Sequence, residues 1–167
     1  QITRYAVSWE RNQKELKNYF NKNLISESMM NLIDSNTDYI NTIINSERDY
    51  LLSYFSFKSL EKSYLLRVDG KVVERPQHLF LRVAIGIHGT DFYNVVRTYN
   101  SMSLKYYNHA TPTLFNAGTK WPQMSSCFLI GSSDSVEGIF KTVSDVAMIS
   151  KWAGGIGIHI SDIRANG

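Results

Sequence analysis

The stretch from Cys127 to Ile160 constrains this chain more than any other, because it reads strand, helix, strand. Cys127-Phe128-Leu129-Ile130 is a short apolar run closed by Gly131, and Ser132-Ser133-Asp134-Ser135 is a cluster of helix-starting residues. Val136, Ile139, Phe140, Val143 and Ala147 then recur at helical spacing as far as Lys151. A glycine-rich turn over residues 154–157 leads into the apolar Ile156-Gly157-Ile158-His159-Ile160. Two strands joined through a helix of this length form a βαβ unit, because parallel strands cannot be closed by a tight turn. The second half is therefore predicted to open an α/β domain.

The first half has a different texture. Leu16, Tyr19, Phe20 and Leu24 recur at helical spacing, as do Tyr39, Ile40, Ile43 and Ile44, followed by Leu51, Tyr54 and Phe55. Ser26 before Glu27, and Ser46 before Glu47, are expected helix starts. Tyr64-Leu65-Leu66-Arg67-Val68 and Lys71-Val72-Val73-Glu74 flank Asp69-Gly70, a hairpin signal, since a type I′ turn needs positive φ at both central residues. Pro76 is expected to end the hairpin. One helix then carries Leu79, Val83 and Ile87 and ends near Gly86 or Gly89; another starts at Asp91 and carries Phe92, Val95, Val96 and Tyr99. Thr111-Pro112-Thr113 and Asn116-Ala117-Gly118-Thr119 read as loop, extended by Pro122. The expected division is a helical region over residues 1–109 and the start of an α/β domain over 110–167.

At 167 residues, 43% of them hydrophobic, the chain can bury the core of one domain, or of a small domain plus the beginning of another. Its formal net charge of +3 is spread without a basic run and is too small to imply nucleic acid or a membrane surface as partner. No span of eighteen apolar residues and no signal peptide is evident, so a soluble intracellular protein is the expectation. The single cysteine excludes an internal disulfide framework and a thiolate-rich metal site. The four histidines, His78, His88, His109 and His159, have no metal-ligand spacing, so no metal site is expected. The chain starts at Gln1 and stops at Gly167 just after a strand, as a truncated sequence would.

Taken one at a time, the polar candidates have plain structural readings. A lone cysteine such as Cys127 is usually a small buried hydrophobe, although its place behind Ser125-Ser126 at the opening of a strand leaves chemistry open. Gly154-Gly155-Ile156-Gly157 could approach a phosphate closely, or simply make a tight turn with left-handed residues. It departs from the dinucleotide fingerprint, with Ile160 where the third glycine belongs. Asp134 and Ser135 suit a helix cap, Lys151 suits a helix C-terminus, and Arg164 suits either a phosphate or a surface ion pair.

Longer phrases carry more. Ala110-Thr111-Pro112-Thr113-Leu114-Phe115-Asn116-Ala117-Gly118-Thr119, Pro122-Gln123-Met124-Ser125-Ser126-Cys127-Phe128-Leu129, Asp134-Ser135-Val136-Glu137-Gly138-Ile139, Ile149-Ser150-Lys151-Trp152-Ala153-Gly154-Gly155-Ile156-Gly157 and Ile163-Arg164-Ala165 resemble, in this order, the early barrel of class I ribonucleotide reductase large subunits. Phe57-Lys58-Ser59-Leu60-Glu61-Lys62-Ser63-Tyr64-Leu65 and Glu74-Arg75-Pro76-Gln77-His78 resemble the helical region that precedes it.

The resemblance implies a ten-stranded α/β barrel, begun but not completed here, behind a helical N-terminal region with a hairpin. It implies reduction of ribonucleoside diphosphates by thiyl-radical chemistry, with two further cysteines becoming a disulfide. Cys127 matches the first of that pair; Thr111, Ser126 and Gly155 match substrate-binding positions. Asp134, Ser135, Val136, Lys151 and Arg164 match the allosteric site for deoxynucleoside triphosphates, with ATP a further effector of the family. The chain would bind no cofactor itself, a metal-containing small subunit supplying the radical. A homodimer of large subunits, thioredoxin or glutaredoxin as reductant, and a cytoplasmic location are the other expectations. The radical cysteine, its assisting Asn and Glu, the second reducing cysteine, the C-terminal thiols and an ATP-cone have no counterpart in these residues. The chain alone is thus expected to be inactive and to expose a strand edge. One half of a split reductase and a non-catalytic nucleotide-binding regulatory module are the alternatives.

Overall fold

The computed structural model describes residues 24–165. The expected helical stripe of Leu16, Tyr19 and Phe20 lies outside the described residues. The helical part begins with α1 (Glu27–Ser35), where the Ser26 side chain accepts from the Met29 amide, and continues into α2 (Thr37–Ile43). A 3-10 helix follows (Ser46–Leu51), starting at Ser46 as the sequence suggested and capped by Asn45, whose side chain accepts from the Glu47 amide. The stripe read through Leu51, Tyr54 and Phe55 does not mark a buried face. The chain breaks at Leu52, Ser53 caps a new helix α3 (Tyr54–Ser63), and Phe55 is 80% exposed.

The hairpin stands where Asp69-Gly70 placed it. Asp69 and Gly70 have φ of 50° and 76°, and Arg67 pairs with Val72 across two short strands, β1 (Arg67–Val68) and β2 (Lys71–Val72). Pro76 opens the helix α4 (Pro76–His88), where its missing N–H costs nothing in the first turn. α4 is buried on nearly all sides through Leu79, Phe80, Leu81, Val83, Ala84 and Ile85, as befits a central helix. It runs straight through Gly86, and Gly89 terminates it with φ of 56°. A Cβ at Gly86 would stand 2.3 Å from the Gly118 nitrogen, so this glycine exists to let the 117–118 backbone rest on α4. α5 (Phe92–Ser103), capped by Asp91, lays Val95, Tyr99 and Met102 on α4.

The residues read as loop after Ala110 include a short helix instead, α6 (Thr111–Asn116). Thr-Pro-Thr is as good a helix start as a turn, and Pro112 falls in the first turn, where proline is tolerated. Leu114 and Ala117 are buried in the same core as α4 and α5.

The βαβ unit is as expected: β3 (Cys127–Gly131), α7 (Val136–Lys151) and β4 (Gly155–His159), with the strands parallel and Cys127 opposite Gly155. Among the described residues the sheet has two strands and is not closed. The turn before β4 corrects the reading of its glycines. The left-handed residue there is Ala153, with φ of 63°. Gly154 is needed for space, since a Cβ would meet Ile149 Cγ2 at 2.6 Å and the Phe128 ring at 2.9 Å. Among the described residues, no hydrophobic side chain beyond Ala117 is buried.

Candidate functional site

Side chains alternate along a strand, so Cys127, Leu129 and Gly131 share one face of β3 while Phe128 and Ile130 take the other, which is partly covered. The thiol face is open: Cys127 is exposed and Leu129 is 91% exposed. Opposite the thiol stands Gly155, which has no side chain to crowd it. The Gly155 amide donates to the Ser126 carbonyl at 2.7 Å, and the Ser126 hydroxyl donates to Cys127 Sγ at 3.6 Å. A Cβ on Gly155 would reach the Ser126 carbonyl at 3.2 Å, a tight contact on the register that holds the thiol. Three of the sequence-selected residues, Ser126, Cys127 and Gly155, therefore meet at one mouth of the sheet.

Thr111, the first residue of α6, is bonded elsewhere: its Oγ1 lies 3.1 Å from the Tyr64 hydroxyl. Its helix is nevertheless tied to the strand leading to the thiol. Thr113 Oγ1 donates to the Met124 carbonyl at 3.0 Å, and Asn116 Nδ2 to the Gln123 carbonyl at 2.7 Å. These two side chains set the path of residues 123–126 and were not singled out from the sequence, where they looked like loop polarity.

At the other end of the unit, Arg164 Nε donates to Asp134 Oδ2 at 2.5 Å. Beside them Ser135 caps α7 by accepting from the Gly138 amide at 3.0 Å, and Val136 is its exposed first residue. Ser132 is buried here, its amide donating to the His159 carbonyl at 3.1 Å. Lys151 does not join this group. It closes α7, roughly 22 Å along the axis from Val136 at 1.5 Å per residue, with its ammonium 5.5 Å from the centre of the Trp152 ring. That ring lies 5.7 Å from Trp121.

Two histidines are perturbed. Burial, helped by the charge of Arg75, lowers His78 to about 4, and burial likewise lowers His109. Among the described residues no three acidic, histidine or cysteine side chains are placed to hold a metal ion, and no helix is long and apolar enough to cross a membrane.

The class these features define is a helical layer feeding an open parallel βαβ unit, with an exposed thiol at a strand start and a capped helix and ion pair at the far end. Residues 50–122 match the family described as ribonucleotide reductase, all-alpha domain, and residues 125–167 match ribonucleotide reductase, barrel domain. The chain is 57% identical over 145 residues to ribonucleoside-diphosphate reductase large chain 2 of Saccharomyces cerevisiae, covering 86% of this chain and 17% of that protein. It is 52% identical over 161 residues to the large subunit of Variola virus, covering 92% of this chain and 21% of the other. Against the large subunit of Danio rerio it is 48% identical over 161 residues, with 92% and 20% covered. The chain belongs to the ribonucleotide reductase large-subunit family, and it spans about a fifth of the length of these relatives.

Proposed function

We propose that this chain forms part of a ribonucleoside-diphosphate reductase large subunit and that Cys127 is one of its two reducing thiols. In the overall reaction the ribose 2′ C–O bond breaks, the hydroxyl leaves as water, and a C–H bond replaces it. Two thiols supply the two electrons and two protons and become a disulfide. The observation that carries the reading is the exposed Cys127 at the start of β3, opposite Gly155 and beside the Ser126 hydroxyl. Its partner thiol must come from outside these 167 residues, because they hold one cysteine. Ser126 and Thr111 offer hydroxyls to the ribose or diphosphate, and Gly155 leaves room for close approach. The chain binds no cofactor in this reading, a metal-containing small subunit delivering the radical. Thioredoxin or glutaredoxin regenerates the thiols in the cytoplasm, and the helical part extends to residue 109 before the barrel part begins.

The far end of the unit is proposed to bind the deoxynucleoside triphosphate effector. Asp134 would accept from the sugar hydroxyl, and Arg164 would exchange its carboxylate for phosphate. Lys151, a helix length away, would reach an effector through a second copy whose α7 lies antiparallel. The exposed apolar side chains of α7, among them Val136, Phe140, Val143 and Met148, favour such a dimer.

The decisive test is Cys127→Ser in the full-length protein, assayed with its small subunit. Steady turnover driven by thioredoxin or dithiothreitol should fall by at least about 100-fold, because no disulfide can form, while deoxynucleotide binding is retained. Unchanged turnover would remove Cys127 from the reaction; deoxynucleotide binding with no reductase activity even in the unsubstituted protein would favour the regulatory module.

A further inference from the structure

Tyr64 stands in the helical layer, and none of the roles described so far uses it. It closes α3, its amide donating to the Leu60 carbonyl at 2.9 Å, and its ring stacks on Phe115 with centroids 4.9 Å apart and planes at 18°. The stack holds the ring without help from its hydroxyl. The hydroxyl is spent on a single residue 47 positions away, Thr111, at 3.1 Å on the exposed side of the pair. A solvent-facing hydrogen bond between two neutral hydroxyls adds little to stability, since water replaces it readily. It does something else well, which is to orient.

A threonine hydroxyl has one proton and two acceptor lone pairs, and its proton rotates freely until a partner selects its direction. A phosphate oxygen only accepts, so Thr111 can bind a diphosphate only as the donor. A phenol is the more acidic hydroxyl and the better donor of the two. With Tyr64 donating into Thr111 Oγ1, one lone pair is occupied and the threonine proton is directed away from the phenol. Each hydrogen bond in such a chain polarises the next and strengthens it. Because Phe115 is in α6 with Thr111, the stack also fixes the distance between the two hydroxyls.

We infer that Tyr64 is a positioning residue for substrate, its phenol orienting the Thr111 hydroxyl as a donor to the diphosphate of the ribonucleotide. This rests on the reading that Thr111 meets the substrate. The role is played through Thr111, without direct contact between Tyr64 and the nucleotide.

The test is a double-substitution cycle in the full-length protein, with a ribonucleoside diphosphate as substrate and the small subunit present. Tyr64→Phe keeps the ring on Phe115 and deletes only the hydroxyl. It should raise KM about 3- to 10-fold, the weight of one oriented hydrogen bond, and leave kcat within about twofold. Thr111→Val should raise KM at least as much, and adding Tyr64→Phe to it should change nothing more. If Thr111→Val raises KM and Tyr64→Phe does not, the role of Tyr64 is overturned while that of Thr111 stands. If the two effects simply add, Tyr64 acts independently of Thr111 and the inference fails. If Thr111→Val leaves KM unchanged, the reading of Thr111 falls and that of Tyr64 falls with it. A Tyr64→Phe protein that loses thermal stability with an unchanged KM would make the residue structural only and would overturn the inference.

Discussion

Arg82 offers a direct test of how the helical layer is held together. Its side chain is almost fully buried in the middle of α4. The guanidinium donates to Glu74 Oε1 at 2.7 Å and Oε2 at 3.2 Å, to the Ala117 carbonyl at 2.7 Å and to the Leu114 carbonyl at 3.0 Å. Glu74 in turn accepts from the Leu66 amide at 3.1 Å. One side chain therefore joins the hairpin, α4 and the end of α6. Arg82→Met keeps most of the volume but strands a buried carboxylate and removes a donor from two carbonyls. Breaking a buried pair from one side costs about 3–5 kcal/mol, and each orphaned carbonyl about 1–3 kcal/mol. These overlap because the groups share one site, so about 5 kcal/mol is expected in total, comparable with the whole stability of a small domain. Urea unfolding followed by far-ultraviolet circular dichroism would show Arg82→Met largely unfolded without denaturant. Adding Glu74→Gln removes the stranded charge while keeping an acceptor for Leu66, and should restore about 2 kcal/mol. An Arg82→Met protein within about 1 kcal/mol of the parent would refute the reasoning, as would a double variant no more stable than the single one.

Three further outcomes follow from the same structure. His78 titrates near 4 when folded and near 6.5 when unfolded, so the unfolded chain binds the extra proton between those values. Stability should therefore be full above that window and fall by about 3 kcal/mol as pH drops through it; urea midpoints across the range should flatten in His78→Gln, and an unaltered pH profile would count against the burial. Gly86→Ala gains helix propensity of about 1 kcal/mol, yet its methyl would overlap the Gly118 backbone. The net effect should be a loss of about 1–3 kcal/mol, and a stabilised variant would mean that α4 and residues 117–118 are not in contact. Phe140, 69% exposed on α7, is proposed to lie at the dimer contact. Phe140→Lys in the full-length protein should weaken self-association at least about tenfold in sedimentation, whereas an unchanged dimer would place the interface elsewhere.

How much of this was readable in the residues depends on how local the signal is. The βαβ unit and the Asp69-Gly70 turn were legible because apolar alternation, helical spacing and positive φ are decided by neighbours in sequence. Tyr54 and Phe55 misled because periodicity reports where apolar side chains recur, without reporting whether anything covers them; both are exposed. α6 was missed because the residues that open a helix are also turn residues, and its order comes from contacts with α4 that lie far off in sequence. In the site, the family phrases brought out Ser126, Cys127 and Gly155, which the parallel register then set side by side. The links that hold the site escaped notice. Tyr64 to Thr111 spans 47 positions and Arg82 to Ala117 spans 35, and no local pattern encodes such pairs. Lys151 was grouped with Asp134 and Arg164 by resemblance alone; a helix length separates them within one chain.

The open face around Cys127 has a practical consequence. The only thiol among the 167 residues sits exposed on the open face of the two-stranded sheet. In the reading proposed above, its rate of alkylation would be a gauge of assembly: fast in the βαβ unit by itself, and slowed once further strands or a nucleotide close over β3. Peptide-level mass spectrometry of the modified Cys127, read over time, would follow the closing of the site.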